Sequence, residues 1–490
     1  MLRKIVSYTG LAIGTSSFSL IGAGLYGIGF TMENEVATIF LVLGVIYLLL
    51  GLSLSRVETR GLTIGEGILL TTFVWLLVPA LTSVALVIAL DIPFVDAYFE
   101  SVGGWTTTGL TIMSGEPSSW DGRYVPGVTE LPETVKMWRS IMQWLGGLGI
   151  IVFTIALLAR PGISAAVLYI AEGRYERIEA SLKRSAYRLG IIYSVLTLIG
   201  ITLLTVSGAP LIDAIHFTMT AISTAGFTPY SESIYHYIDM NWVLVSSLIV
   251  SFMGAMSFSD HNNILTLRLS RLKRSVEFKM QVALLVIVIL STWILYERDS
   301  ILKSAYTLKQ ALYDAVSAYT TVGFQSGPVG EASSDYKILL IVFSAIGGSA
   351  FSTAGGIKVL RIAVALKVLS MEAETIVKPS GYTPRRRMGR YYVDERLVRR
   401  VMAGIAAFIF IYIILVLAAI MLYPNMYAAD DVLFETASAV FNIGLSTGIT
   451  AASAPTGMKI ILIAGMLMGR LEVLPFIIAA RQIIYSLKRF

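Results

Sequence analysis

The chain has 490 residues, of which 56% are hydrophobic and only 14% charged, and carries a net charge of +6. Apolar runs of about 20 residues, long enough to cross a ~30 Å hydrocarbon core, recur along it and exclude a soluble globular domain. Cysteine is absent and His216, His236 and His261 are the only histidines, so disulfides and the usual thiolate or paired-histidine metal ligands are excluded too.

In chain order, spans are predicted near 9–30, 36–55, 65–90, 137–159, 186–207, 242–267, 280–296, 337–366, 401–423 and 459–480, about ten crossings in all. The first follows Met1-Leu-Arg-Lys4 in the manner of a signal peptide. Its run is longer than a signal core, however, and the second span starts just beyond the acidic segment 31–36, so a retained helical hairpin is expected. With the N-terminus in the cytoplasm, both termini are cytoplasmic and most of the 38 Lys and Arg fall on that side, grouped at 174–188, 268–279 and 378–400. The opposite segments 31–36, 208–241 and 424–435 carry none. Solvated loops bound to the anionic lipid of a bilayer account for this asymmetry without nucleic acid.

Four windows repeat between long spans: DAYFESVGGWTTTG (Asp96 to Gly109), DAIHFTMTAISTAG (Asp213 to Gly226), QALYDAVSAYTTVG (Gln310 to Gly323) and DVLFETASAVFNIG (Asp431 to Gly444). Asp96, Asp213 and Asp431 are expected as helix N-caps, with Gln310 a poorer one. An aromatic ring follows in each, at Phe99, His216, Tyr313 and Phe434. About ten helical residues then rise ~15 Å, half the core thickness, so these helices cannot cross. Irregular backbone at that depth is tolerated only where it is buried in protein or lines water. One such glycine is explained by close helix packing. Four in register point instead to Thr107-Thr108-Gly109, Thr224-Ala225-Gly226, Thr321-Val322-Gly323 and Asn442-Ile443-Gly444 as segments whose carbonyls replace the water shell of a cation around one axis. Glu100, Asp314 and Glu435 share one position on the short helices, where Phe217 breaks the series. Two readings stand for them: holding the segments or attracting cations, and plain capping and packing.

Three further motifs are Gln143-Trp-Leu-Gly-Gly-Leu-Gly-Ile150, Gly347-Gly-Ser-Ala-Phe-Ser-Thr-Ala-Gly-Gly-Ile-Lys358 and Gly469-Arg-Leu-Glu472. Together with the four windows they make nearly the whole chain resemble the Trk/Ktr/HKT superfamily of potassium transporters, and its TrkH type in particular. The resemblance implies an all-α integral membrane fold: four pseudo-repeats of helix, pore helix and helix around a central pore, plus an N-terminal two-helix hairpin. The corresponding divisions are 1–60 for the hairpin, 61–160, 161–275 and 276–370 for three repeats, and 371–490 for a linker and the fourth. It implies a selectivity filter with potassium at Thr108, Gly109, Thr224, Ala225, Thr321, Val322, Asn442 and Ile443. A glycine in each filter accompanies potassium selectivity in this family, and a serine in the first accompanies sodium preference in some plant relatives; here the first has Gly109. The resemblance further implies a multi-pass protein of the cell membrane, a homodimer, and a cytoplasmic nucleotide-binding regulatory subunit of the TrkA/KtrA kind. The basic segments could dock that subunit, and no catalytic residue is expected.

The span 337–366 would be ~45 Å long as a helix, more than the core requires. Its centre, Gly347, Gly348, Ser349, Ala350, Phe351, Ser352, Thr353, Ala354, Gly355 and Gly356, has low helix stability. Small residues here suit either close helix packing or an unwound loop, and the resemblance points to an intramembrane gate, from whose pattern Phe351 departs. Arg470 aligns with Gly147, Ala255 and Gly348 of the other inner spans. A charge inside a span costs at least ~2.5 kcal/mol and needs water or an acid nearby. It is expected to project into the pore as a barrier to cations; an ion pair with Glu435 or Asp314 is the alternative. Rival functions are an ion-coupled carrier, which predicts inverted halves rather than four like-oriented units, an intramembrane enzyme, for which few titratable groups are available, and a sodium pathway.

Overall fold

The computed structural model describes residues 2–56, 62–149, 182–378, 384, 386–389, 391–471, 475, 476, 478 and 481. Ile150, Glu472 and residues 174–181 of the first basic group lie outside them. Helix α1 (Leu2–Tyr26) pairs with α2 (Asn34–Ser55) as the expected hairpin. Their backbones nearly touch: a side-chain carbon on Gly51 would come within 2.5 Å of the Gly14 nitrogen. Hydroxyls that would be costly in an apolar seam are absorbed by α1 itself, as when Ser17 Oγ donates to Gly14 O at 2.8 Å. Helix α1 begins earlier than the apolar run, because Lys4 lies on it and bridges Glu66 at 3.0 Å.

The first repeat comprises α3 (Ile64–Leu90), the short α4 (Phe94–Trp105) and α5 (Glu133–Leu148). Glu33, between α1 and α2, accepts from the first-turn amides of Glu133 and Thr134 at 2.8 and 2.9 Å, tying the hairpin to α5. The second comprises α6 (Leu182–Val206), the short α7 (Leu211–Ile222) and α8 (Asn241–Ala255), which bends by 107° into α9 (Phe258–Leu265). After the one-turn α10 (Leu269–Leu272), the third comprises α11 (Val276–Arg298), the small α12 (Ser300–Ala305), the short α13 (Leu308–Thr320) and α14 (Ser334–Ala345), which resumes after a non-helical stretch as α15 (Val359–Val377). The fourth comprises α16 (Glu395–Leu422), the short α17 (Ala429–Val440) and α18 (Thr456–Leu471). Among the described residues the strands form two antiparallel hairpins, Glu116–Pro117 with Tyr124–Val125 and Arg387–Met388 with Tyr391–Tyr392.

Among the described residues the ten apolar runs do not all appear as long helices, and those at 137–159 and 459–480 extend beyond the described residues. Among the described residues six helices, α1, α2, α3, α6, α11 and α16, are long and apolar enough to cross a membrane, and the bent pair α8 and α9 makes a seventh. The inner helices α5, α8, α14 and α18 run for 16, 15, 12 and 16 described residues. Hydropathy counts apolar residues and cannot see that α8 and α14 break where their small residues admit other backbone.

The short helices begin before the repeated aspartates. Pro93, Pro210, Thr307 and Ala428 occupy the N-cap positions, so Asp96, Asp213, Gln310 and Asp431 sit third in their helices rather than capping them. Gln310, the poorer expected cap, belongs to a capping box with Thr307. The aspartates are turned to other partners: Asp213 to Tyr230 and Tyr237 of its own repeat, Asp96 and Asp431 to lysines of the preceding inner helices. Each inner helix packs on the short helix of the next repeat: α5 on α7, α8 on α13, α14 on α17, and α18 back on α4. Every seam carries a polar link, partly buried in the third and buried in the others: Ser140 with His216 Nδ1 at 2.8 Å, Ser247 with Tyr313 at 2.7 Å, Lys337 with Asp431 at 2.6 Å, and Lys459 with Asp96 at 2.5 Å.

The last pair closes the ring, with Lys459 and Asp96 each about fully buried. Removing one partner leaves an uncompensated buried charge, at a cost of about 3–5 kcal/mol. Lys459→Met is therefore expected to lower the melting temperature of the purified protein in detergent sharply. The double variant Asp96→Asn/Lys459→Met is expected to melt above it.

Candidate ion pathway

All four short helices end alike. The residue two before each glycine is left-handed although it is not itself glycine: Thr107 (φ 54°), Thr224 (51°), Thr321 (55°) and Asn442 (53°). The amide of the following residue reaches back five positions, from Thr108 to Gly103 O, Ala225 to Thr220 O, Val322 to Ser317 O and Ile443 to Ser438 O, at 2.9–3.1 Å. This is a Schellman-type helix end. Because each peptide is trans, an amide turned back onto the helix turns the carbonyl of the residue before it, at Thr107, Thr224, Thr321 or Asn442, away from that helix. The glycines follow with φ of 85°, 82°, 80° and 99°.

These glycines meet around one axis. A side-chain carbon on Gly109 would lie 2.1 Å from Ala225 O, on Gly226 2.2 Å from Val322 O, on Gly323 2.0 Å from Ile443 O, and on Gly444 2.5 Å from Thr108 O. Each repeat thus presses its carbonyl on the glycine of its neighbour, and the fourth contact returns to the first repeat. Positive φ and close approach both demand glycine here. On one side the four glycines border a single cavity of about 660 Å³. Tyr230 also lines it, and burial, with a hydrogen bond to Asp213, pushes its hydroxyl up to about 12, keeping it a neutral donor.

Behind the glycines, buried carboxylates hold the returning chain. Glu100 accepts from the Ile112 amide at 3.0 Å and Thr111 Oγ1 at 2.9 Å. Asp314 accepts from the Ser326 amide at 2.7 Å and the Gly327 amide at 3.2 Å. Glu435 accepts from the Thr447 and Thr450 amides at 2.9 and 3.1 Å and from three hydroxyls of the same loop. Of the two readings of these acids, the geometry favours bracing. The second repeat has Phe217 instead, and its support comes from α5: Gln143 bridges Ala225 O and the Phe227 amide at 2.8 and 3.0 Å, while Arg139 donates to Thr228 O at 3.0 Å and pairs with Glu100 at 2.7 Å. Sequence reasoning assigned Arg139 and Gln143 no role; the missing acid at Phe217 was the signal that something else must brace this segment.

Residues 346–358 leave the helix and meet the chain at the ends of the second, third and fourth short helices, before the glycines. A narrow parallel bridge between Ile346 and Ile357 closes the loop's base, where a side chain on Gly347 would come within 1.9 Å of Gly355 O. Gly355 N donates to Thr321 Oγ1 and Gly356 N to Phe441 O, both at 2.9 Å. Thr353 Oγ1 lies 3.0 Å from Ile222 O and 2.9 Å from Gly254 O. Gly348 O accepts from Val359 N, Ser349 donates to Ala255 O, Ala350 to Glu277, Ser352 Oγ to Ser349 O, and Ala354 O accepts from Lys358. Phe351 stacks edge-on against Phe258 with ring centres 5.7 Å apart, and its carbonyl takes the Phe258 amide. The aromatic that departs from the small-residue pattern is thus the loop's anchor in the bend between α8 and α9.

Arg470 lies half-buried in this same layer. It donates to Thr353 O at 3.3 Å and Gly146 O at 2.6 Å and sits over the Trp75 ring at 5.4 Å. Glu435 and Asp314, the acids considered as its partners, are occupied with their own loops on the other side of the glycines. Loop and arginine together contact inner or short helices of all four repeats.

A family model described as TrkH, cation transport protein, matches residues 62–488. The chain belongs to the TrkH family. It is similar to an uncharacterised cation transporter of Methanocaldococcus jannaschii, 31% identical over 90% of this chain and 87% of that one. The Trk system potassium uptake protein TrkH of Salmonella typhimurium is 29% identical over 86% of each chain. A crystal structure of the potassium transporter TrkH from Vibrio parahaemolyticus shares the fold, with TM-score 0.80 and 24% identity over 98% of both chains. This TrkH-family chain is accordingly an all-α, multi-pass membrane protein, with four pseudo-repeats and an N-terminal hairpin.

Glu435 holds several groups at once, and losing a charged brace costs about 1.5–3 kcal/mol per bond. Glu435→Ala is expected to speed amide hydrogen exchange at 447–450 by at least about tenfold, leaving the α1–α2 hairpin unchanged.

Proposed function

We propose that this protein carries potassium into the cell through the axis shared by its four glycine segments. The observation that supports this reading is the closed sequence of contacts in which each glycine receives the carbonyl of the next repeat. The cation enters from the cavity bordered by Gly109, Gly226, Gly323 and Gly444 and exchanges water for carbonyl oxygens of Thr107 to Gly109, Thr224 to Gly226, Thr321 to Gly323 and Asn442 to Gly444. The negative ends of the four short helices add to its stabilisation without a formal charge that would hold it too long. A ring braced from behind resists shrinking onto sodium, which is smaller and therefore pays for dehydration without full replacement.

Loop 347–356 acts as the gate, since it must move for an ion to pass from the segments above to the space below. Arg470 raises the barrier in that layer, where a positive charge repels a cation strongly because little water screens it. The basic segments at 268–279 and 378–400, with that at 174–188, dock a cytoplasmic nucleotide-binding subunit of the TrkA/KtrA kind. The working form is a homodimer in the cell membrane with cytoplasmic termini, divided into repeats near 60, 160, 275 and 370. The protein transports and does not catalyse a chemical conversion.

Flux of potassium and sodium into liposomes holding the purified chain tests the ion. Potassium flux is expected to exceed sodium flux, and Gly109→Ser to lower that ratio by at least about tenfold, equivalent to ~1.4 kcal/mol. Sodium flux above potassium flux in the unaltered protein would falsify the assignment. In the same assay Arg470→Ala is expected to raise potassium flux several-fold. Unchanged flux from a less stable Arg470→Ala protein would instead make the arginine a purely structural tie.

A further inference from the structure

Three of the four glycine segments are braced by a carboxylate on their own short helix; the second is not. Phe217 takes that place and packs edge-on against Phe324 and Tyr237, with ring centres 5.3 and 5.7 Å away. It has no atom that can hold the backbone beyond Gly226. The substitute comes from another repeat. Gln143, fully buried on α5, donates through Nε2 to Ala225 O at 2.8 Å and accepts from the Phe227 amide at 3.0 Å. One amide side chain therefore grips both sides of Gly226. Arg139, one turn earlier on α5, covers the Phe227 ring at 4.0 Å and donates to Thr228 O, so the next two residues are held from the same helix.

The atom that Gln143 grips matters. Ala225 O is the oxygen that presses on Gly109, the counterpart of Thr108 O, Val322 O and Ile443 O in the other contacts of the ring. An amide donor occupies one lone pair of this carbonyl and ties its position to α5. Moving it inward to reach a smaller ion would stretch that bond and the one from Phe227 together. We infer that Gln143 is a specificity-determining positioning residue: by tethering the carbonyl of Ala225 it keeps the second segment from closing on sodium. This rests on the four segments being the selective part of the pathway. It adds that the repeat with Phe217 in place of the bracing acid depends for selectivity on a side chain of its neighbour.

The test compares potassium and sodium flux in liposomes for wild type, Gly109→Ser, Gln143→Met and Gln143→Glu. Methionine keeps the length and volume of glutamine but neither hydrogen bond. Gln143→Met is expected to assemble and to conduct potassium, with its potassium-to-sodium ratio about three- to tenfold lower, the effect of about one lost hydrogen bond. Gln143→Glu, assayed at acidic pH where a protonated carboxyl retains one donor and one acceptor, is expected to stay near the wild-type ratio. It also decides the matter if the methionine variant does not assemble, since a ratio as low as that of Gly109→Ser would overturn the inference. An unchanged ratio in Gln143→Met beside a lowered one in Gly109→Ser would overturn it while leaving the selective role of the segments standing. If wild type shows no potassium preference and Gly109→Ser changes nothing, the underlying reading fails first.

Discussion

Four stretches of backbone approach one another too closely for any side chain to stand between them. A methyl group on any of the four glycines would sit 2.0–2.5 Å from a neighbouring carbonyl oxygen. That closeness constrains the rest of the protein. It requires helices that stop halfway, because only a chain reversing at mid-depth can offer exposed carbonyls there. It requires left-handed residues before the glycines to redirect the peptide planes, at a cost of roughly 1–2 kcal/mol for each of the three threonines and less for the asparagine. The surrounding structure must supply that energy and hold the result in place.

It does so from two directions. Inner helices fix the start of each short helix in the next repeat, through links that become ionic in the third and fourth seams. Buried acids fix the chain just after each glycine, except in the second repeat, where α5 serves instead. The repeats are thus interlocked rather than merely adjacent: the first supports the second, and the fourth reaches back to the first. Degenerate repetition permits this unequal division of labour. Equivalent positions carry Glu100, Phe217, Asp314 and Glu435, and the second glycine segment is held because the missing group is replaced from a neighbouring helix.

Below the glycines, backbone that is not helical is tolerated because most of the polar groups described in the loop find partners. Carbonyls at the ends of the short and inner helices have no intrahelical donors, and loop amides and hydroxyls satisfy several of them. Arg470 joins the same arrangement, taking carbonyls from the first repeat and from the loop. Its guanidinium thereby links the first repeat to the loop of the third.

Much of this was legible in the residues alone. The apolar runs, the four matching windows, the half-length of their helices and the weak helix around Gly347 to Gly356 are properties of a few adjacent residues, and local propensity and spacing encode them. The N-caps were misplaced by three residues because the repeated aspartate marks where the windows align, and a carboxylate one turn inside a helix has the same local signature as one that caps it. The partners of Asp96 and Asp431, the roles of Arg139 and Gln143, the anchoring of Phe351 and the carbonyl shell of Arg470 were not legible. Those contacts join residues far apart in the chain, Lys459 and Asp96 being 363 positions apart. Nothing near either residue specifies the other; only the closure of four repeats around one axis brings them within hydrogen-bonding distance.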